Sequence, residues 1–459
     1  MTFEGIGQHT RNGDRWTRLG GGDEGVVKPD RVFRENLDRK DLLAMQDRQD
    51  RPFDIILWGA TGHTGRPAAL YLQRQYGNQL RWAIAGRDQA KLERVKAEVG
   101  NADLPIFIVP GSDRAAADAV ASQTRVVAST VAPGAQHATE MVEACIEYGT
   151  HMADLCGELH WLRQMMDTHD PAAQAGKVKI VNCCGLDSIP SEYLVHRMQQ
   201  AALEHFGEYC SHITNCFSHG HIAVSGGSFA SGKGVMQAVA NDPDMADMIA
   251  NPYSLNPPDL LEGPHCPDLE QVEFHPDFDQ YIMPLPFGQI NARIVRRSHA
   301  VLGSPWGANF TYREAKLAGK GPVKRIKAEL ESRLTRLFVE ADPNTRAGRF
   351  LHSLGPKEGS GPSDKQIASN GPCGFKAVGT TPSGKKLKGW MHTHWDPGHG
   401  GTAAMLVDSA YCLAKRQDEI EAETGRTGGY LTPYLAMGEV LREQLEQNAG
   451  IHWGVESEA

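Results

Sequence analysis

Long apolar runs are missing from this chain of 459 residues. None approaches the ~20 residues needed to span a bilayer. The opening stretch, MTFEGIGQHTRNGDRW, lacks the apolar core of a secretory signal. Blocks of lysine or arginine are missing too, and the net charge is −9. Neither nucleic acid nor an anionic membrane is therefore expected as an obligate partner. No CxxC pair occurs, and the nine cysteines are scattered. Core thiols are expected, rather than a disulfide framework or a zinc site. GxSxG, HExxH and GxxxxGK[ST] are all absent, which removes the common hydrolase and kinase readings. These absences describe a soluble, cytoplasmic protein with no transmembrane segment. Peripheral membrane association and a homodimer remain open.

What is present is globular in composition, 40% hydrophobic and 22% charged, and long enough for two or three domains. Residues 1–50 are polar and aperiodic and read as a disordered leader; Met45 is an alternative start. From Phe53 the pattern changes. FDIILW, RWAIAG, PIFIV, RVVAST, THMADLC and KVKIVNCCG read as six strands buried on both faces, with Cys183–Cys184 inside the last. Helical segments alternate with them, which predicts a Rossmann-type, doubly wound parallel sheet over 51–190. The alternation stops near Asp187. Residues 191–399 are expected to form a second, mixed α/β domain for substrate or oligomerisation. HIAVSGGSFASG and QINARIVRRSHAVLG read there as strands or turns. Residues 312–338 read as a charged amphipathic helix broken at Gly319–Pro322, and 353–366 as a surface loop. Residues 400–450 read as C-terminal helices.

WGATGHTG places Gly59, Gly62 and Gly65 three residues apart, after a buried strand and at the start of a helix. In a dinucleotide fold the first glycine allows the turn. The second lets backbone approach the pyrophosphate, and the third lets the helix pack closely. Gly59, Thr61, Gly62, His63, Thr64 and Gly65 are the expected phosphate-binding residues. The second strand ends in AGRD. Arg87 suits a 2′-phosphate, and Asp88 reads as the cap of the next helix, so NADPH is expected, with NADH as the alternative. STVAPGAQ follows the fourth strand and offers Ala132 and Pro133 to ribose and nicotinamide.

GATGHTGR, AGRD, ADLCGE and CGLDSIPSE occur in that order, and DPGHGGTAAMLVDSAYCLA and GGYLTPYLAMGE close the chain. Together they resemble the saccharopine dehydrogenase-like oxidoreductases, a family that includes the trans-acting enoyl reductases of mycobacterial lipid synthesis. Two positions depart from the family's usual pattern: His399 stands where tyrosine is usual, and Leu186 where phenylalanine is usual. The resemblance implies a nucleotide domain, a mixed domain over the nicotinamide, and a C-terminal helix that returns to the first. It also implies an oxidoreductase that delivers hydride to an enoyl, carbonyl or imine group, on a small-molecule or lipid-like substrate. The alternatives are a saccharopine-type amino-acid dehydrogenase, with Arg293, Arg296 and Arg297 supplying cations (RIVRRSH reads equally as a solvated strand edge), and a non-catalytic nucleotide-binding protein linked to membrane lipid. Asp187, Ser188 and Ser191 are the catalytic candidates, because their motif ends a strand at the ligand-binding edge. Asp187 and Ser188 read equally as caps of the helix near Pro190. HTHWDPGH carries His392, His394 and His399, which read as a weak metal or proton-donor candidate; no metal is assigned.

Overall fold

The computed structural model describes residues 26–27, 48–357 and 360–457. Apart from 26–27 and 48–50, the expected disordered leader lies outside the described residues, as does Met45.

The first sheet is all parallel. Its strands are β1 (Phe53–Trp58), β2 (Trp82–Gly86), β3 (Ile106–Ile108), β4 (Thr124–Ser129), β5 (His151–Asp154) and β6 (Lys179–Val181). A seventh, Gly429–Leu431, arrives from near the C-terminus and pairs with β6. The order is β3-β2-β1-β4-β5-β6 and then that strand, with the two-residue strand Val26–Val27 beside β3. Alternation along β1 shows why the strands are apolar throughout. Ile55 and Leu57 enter the core on one face, Ile56 and Trp58 the core on the other. The sequence therefore carries no polar face by which to mark an outside.

The second sheet is mixed. Its strands are β7 (His212–His219), β8 (Glu273–His275), β9 (Gln280–Met283), β10 (Thr311–Gly319), β11 (Cys373–Thr380), β12 (Lys386–Thr393) and, after Gly429–Leu431 as β13, β14 (Ile451–Ser457). They run in the order β14-β12-β11-β7-β10-β9-β8, with only β7 and β10 parallel.

Helices α1 (Gly65–Tyr76) and α2 (Gln89–Val99) belong to the first sheet, and α3 (Ile189–Phe206) leads out of it. Then come α4 (Gly226–Asn241), α5 (Gly288–Val301), α6 (Pro322–Val339), α7 (Arg346–Ser353) and α8 (Gly400–Lys415). Helix α8 is buried along most of its length and returns to the first sheet. Asp408 on it accepts from Tyr76 Oη at 2.5 Å and Tyr71 Oη at 3.1 Å, both on α1. Lys415 at its end pairs with Asp54 of β1 at 3.0 Å.

Three segments differ from the sequence reading, and a fourth, the surface loop, gains a contact. SGGSFASG opens α4, with Ser225 as its N-cap, despite four glycines in its length. QINARIVRRSHAV is helix α5, not a strand: Ile290 and Ile294, one turn apart, enter one core while Val295 enters the other, and its arginines are buried against carbonyls. TYREAKLAG is strand β10 rather than helix, because pairing with both β7 and β9 outweighs its local propensity. In 353–366, Ser360 O accepts from Gly226 N and Gly361 lies against His63, so this loop covers the glycine turn.

Candidate active site

Parallel strands share one carboxyl edge, and the loops after β1, β2, β4, β5 and β6 gather there. The chain leaves β1 through Gly59, at φ +88°, where a Cβ would lie 2.6 Å from Thr130 Oγ1. A Cβ on Gly65 would lie 2.1 Å from Gly59 O, so α1 can start this close to the turn only with glycine there. Near Gly62 a Cβ would meet only loop backbone, and that glycine is exposed. Thr64 precedes α1 and makes no side-chain cap. The leading N–H groups of the helix are thus not taken by that hydroxyl, as a phosphate site requires. Thr61 and His63 are half-buried beside it, and the His63 ring packs edge-on to that of His399 at 6.4 Å. These residues fit a pyrophosphate.

At the end of β2 the two polar residues divide as their chemistry suggests. Asp88 accepts from Lys91 N at 3.0 Å and caps α2. Arg87 is exposed at the strand end. After β4, Thr130 donates to Gly59 O at 3.0 Å and binds the two loops together. Ala132 and Pro133 follow, with the start of α4 facing them: a Cβ on Gly227 would lie 3.6 Å from that of Ala132.

Glu158, in the quoted ADLCGE, is a site residue that sequence reasoning passed over. It is buried, and accepts from Gly134 N at 2.7 Å, Ala135 N at 3.3 Å and Ser231 Oγ of α4 at 2.8 Å. One carboxylate thus ties the β4 loop to the helix above it. Asp154, at the end of β5, accepts from Cys156 N and Asn182 Nδ2, both at 2.7 Å, and burial pushes its pKa up to about 6.

After β6, Asp187 is half-buried, and burial with no compensating hydrogen bond pushes its pKa up to about 7. Ser188 is fully buried, and its Oγ has no partner among the described residues. It stands at the N-cap of α3 without making a side-chain cap, so the capping reading of Ser188 fails. Ser191 is spent differently. Its Oγ donates to Glu314 Oε1 at 3.0 Å and accepts from Asn215 Nδ2 at 3.1 Å. Asn291 Nδ2 also reaches Glu314 Oε1 at 2.5 Å, and Tyr312 Oη donates to Glu314 Oε2 at 2.6 Å. Burial still pushes Glu314 up to about 8, with the nearby charge of Asp187 acting in the same direction. Glu314 was hidden because its segment, β10, read as a charged helix.

The histidine cluster disperses. His392 stacks on His219 at 5.8 Å, and His394 packs on Trp395 at 4.7 Å. His399 is buried, its Nδ1 3.7 Å from Asp396 Oδ2. Asp396 accepts from the backbone N–H groups of His399 at 3.0 Å and Gly400 at 2.7 Å, holding the start of α8. Among the described residues no group of three or more His, Cys, Asp or Glu is placed to hold a metal ion.

The three arginines read as a strand edge or a carboxylate site face inward instead. Arg293 pairs with Asp268 at 2.6 Å; Arg296 donates to Tyr312 O at 2.8 Å; Arg297 donates to Leu255 O at 2.6 Å and Tyr430 O at 2.9 Å.

Residues 55–181 match the family model described as saccharopine dehydrogenase NADP binding domain. A trans-acting enoyl reductase of Mycobacterium leprae is 32% identical over 413 residues, covering 87% of this chain and 97% of its own length. One from Mycobacterium tuberculosis is 31% identical over 425 residues, covering 88% and 98%. Among solved structures, a saccharopine dehydrogenase (L-Glu forming) from Saccharomyces cerevisiae aligns over 88% of this chain and 99% of its own, at 13% identity and a TM-score of 0.49. No helix among the described residues is long and apolar enough to cross a membrane. The chain belongs to the saccharopine dehydrogenase-like oxidoreductases, with the trans-acting enoyl reductases among its relatives, and it is an NADPH-dependent oxidoreductase.

Proposed function

We propose that the chain reduces an enoyl group on a lipid-like substrate, in the cleft between the carboxyl edge of the first sheet and helix α4. Residues 51–190 then bind NADPH, 191–399 cover the substrate, and 400–450 lock the two together. The commitment of Arg293, Arg296 and Arg297 to internal carbonyls and Asp268 carries the choice of substrate class. A saccharopine-type substrate would need those cations for its carboxylates. What faces Ala132 instead is α4, whose Phe229, Val235 and Met236 stay half-buried. The names of the relatives point the same way.

Gly59, Thr61, Gly62, His63, Thr64 and Gly65 would hold the pyrophosphate, Arg87 the 2′-phosphate, and Ala132 and Pro133 the nicotinamide ribose. When bound, NADPH supplies hydride to one carbon of the double bond. The neighbouring carbon takes a proton, and Asp187 is the donor. Its pKa of about 7 keeps much of it protonated near neutrality, as a general acid requires. Ser188, its hydroxyl uncommitted, orients the acceptor group. Ser191 positions the first turn of α3 through Glu314. The test is NADPH oxidation with three substrates: a long-chain enoyl thioester, the matching ketone and an amino-acid-derived dicarboxylate imine. Turnover of the thioester is expected; turnover of the dicarboxylate alone overturns the reading.

A further inference from the structure

Helix α6 turns an apolar face outward. Val323, Ile326, Leu330, Leu334 and Leu337 recur every three or four residues and are 57–77% exposed, whereas Ala328 is the one buried residue of the helix. That spacing aligns all five in one stripe. The following helix, α7, adds exposed Phe350, and Leu354 follows just beyond it. Single exposed leucines are ordinary on a soluble protein; a continuous stripe of five is not.

The rim of the stripe is basic. At 100° per residue, Lys327 falls on one edge and Arg333 on the other, with Lys324 further round. All three are exposed, and none makes an ion pair among the described residues. The acids of the helix are already engaged: Glu329 by Arg325 at 2.7 Å and Glu331 by Lys316 at 2.7 Å. Exposed Arg346 and Arg349 on α7 add to the same sign. This patch is cationic although the whole chain carries −9.

We propose that the α6–α7 face docks on an anionic lipid surface, with the stripe set among the acyl-chain ends and Lys324, Lys327 and Arg333 among the headgroups. An apolar stripe edged by cations is the pattern of a helix lying in the membrane interface. A second copy of the chain fits less well, because a two-fold pairing of this face would bring one basic rim near another. The face also communicates with the cleft: Phe338 of α6 packs on Phe229 of α4, ring centroids 5.6 Å apart, and α4 begins over Ala132.

The full chain is floated with vesicles of phosphatidylcholine alone and of phosphatidylcholine with phosphatidylglycerol, at low and high salt. Binding to the anionic vesicles is expected to exceed binding to the neutral ones at least tenfold and to weaken with salt. Leu330→Asp with Leu334→Asp should abolish it. Lys327→Gln with Arg333→Gln should weaken it about thirtyfold, the order expected of two surface cations. All four side chains are exposed, so melting temperatures should not move; the glutamine pair remains informative if the aspartate pair fails to fold. Equal or absent binding to the two vesicle types overturns the proposal. So does a dimer in solution that Leu330→Asp dissociates, which would make a second copy the occupant.

Discussion

Asp408 and Asp187 make an instructive pair. Burial pushes both carboxyl groups up to about 7. Around Asp408, at the joint of α8 and α1, two tyrosine hydroxyls donate to the carboxylate, and Gln444 Nε2 donates to Tyr76 Oη at 3.1 Å. Around Asp187, half-buried at the end of β6, no such donors stand among the described residues, and the next hydroxyl, Ser188, has no partner among them either. A buried acid whose bonds are all met within the protein holds the protein together. One left wanting is available to something else.

The largest test of that contrast is Asp187→Asn, which keeps the shape and removes the transferable proton. Turnover should fall about 100-fold or more, the usual loss of a general acid, with no loss of melting temperature. The wild-type rate should also decline as pH rises through about 7, where the acid loses its proton, and that limb should disappear in the variant. A thermal scan beside a pH–rate profile reads both. Next comes Asp408→Ala, which strands two buried hydroxyls. It should cost about 2–4 kcal/mol, seen as a lower urea midpoint, and leave the turnover of the folded fraction alone. Significant turnover loss at full folding would break the comparison.

The same division separates two neighbours at the end of β2. Arg87→Ala should weaken NADPH by about 1.5–3 kcal/mol, the worth of a charge-assisted bond to phosphate, and leave NADH nearly unaffected. Asp88→Asn, spent on a cap that Asn fills as well, should alter neither affinity. Cofactor titrations decide this. In a last test the two acids act alike. Each keeps its proton in the folded chain up to about 7, whereas an unfolded aspartate releases it near ~4. The native state therefore binds more protons across that window. Stability should fall as pH rises from about 4 to 7, then level off. Asp408→Asn should flatten this slope in denaturation curves taken at several pH values.

Much of the cofactor half was readable from sequence because it depends on local geometry. The roles of Gly59 and Gly65 follow from a strand, a turn and a helix within a dozen residues. The Asp88 cap spans three. The second sheet and its helices were not readable in the same way. Glu314 meets Ser191 across 123 positions, in a strand whose charges imitate a helix. The buried arginines of α5 looked like surface because nothing nearby in sequence announces the carbonyls they serve. Net charge is silent for a related reason: a sum of −9 over the chain does not report the exposed basic side chains of α6 and α7.

By itself, then, the sequence determined the parallel sheet and its glycine turn, since apolar runs and a glycine spacing commit neighbouring backbone whatever lies beyond. The tertiary structure alone decided which polar groups are spent and which are spare. Whether Ser191, Glu158, Arg293 or Asp187 finds a partner depends on elements brought together from distant parts of the chain. For a buried polar group, having a partner or lacking one outweighs any propensity encoded nearby.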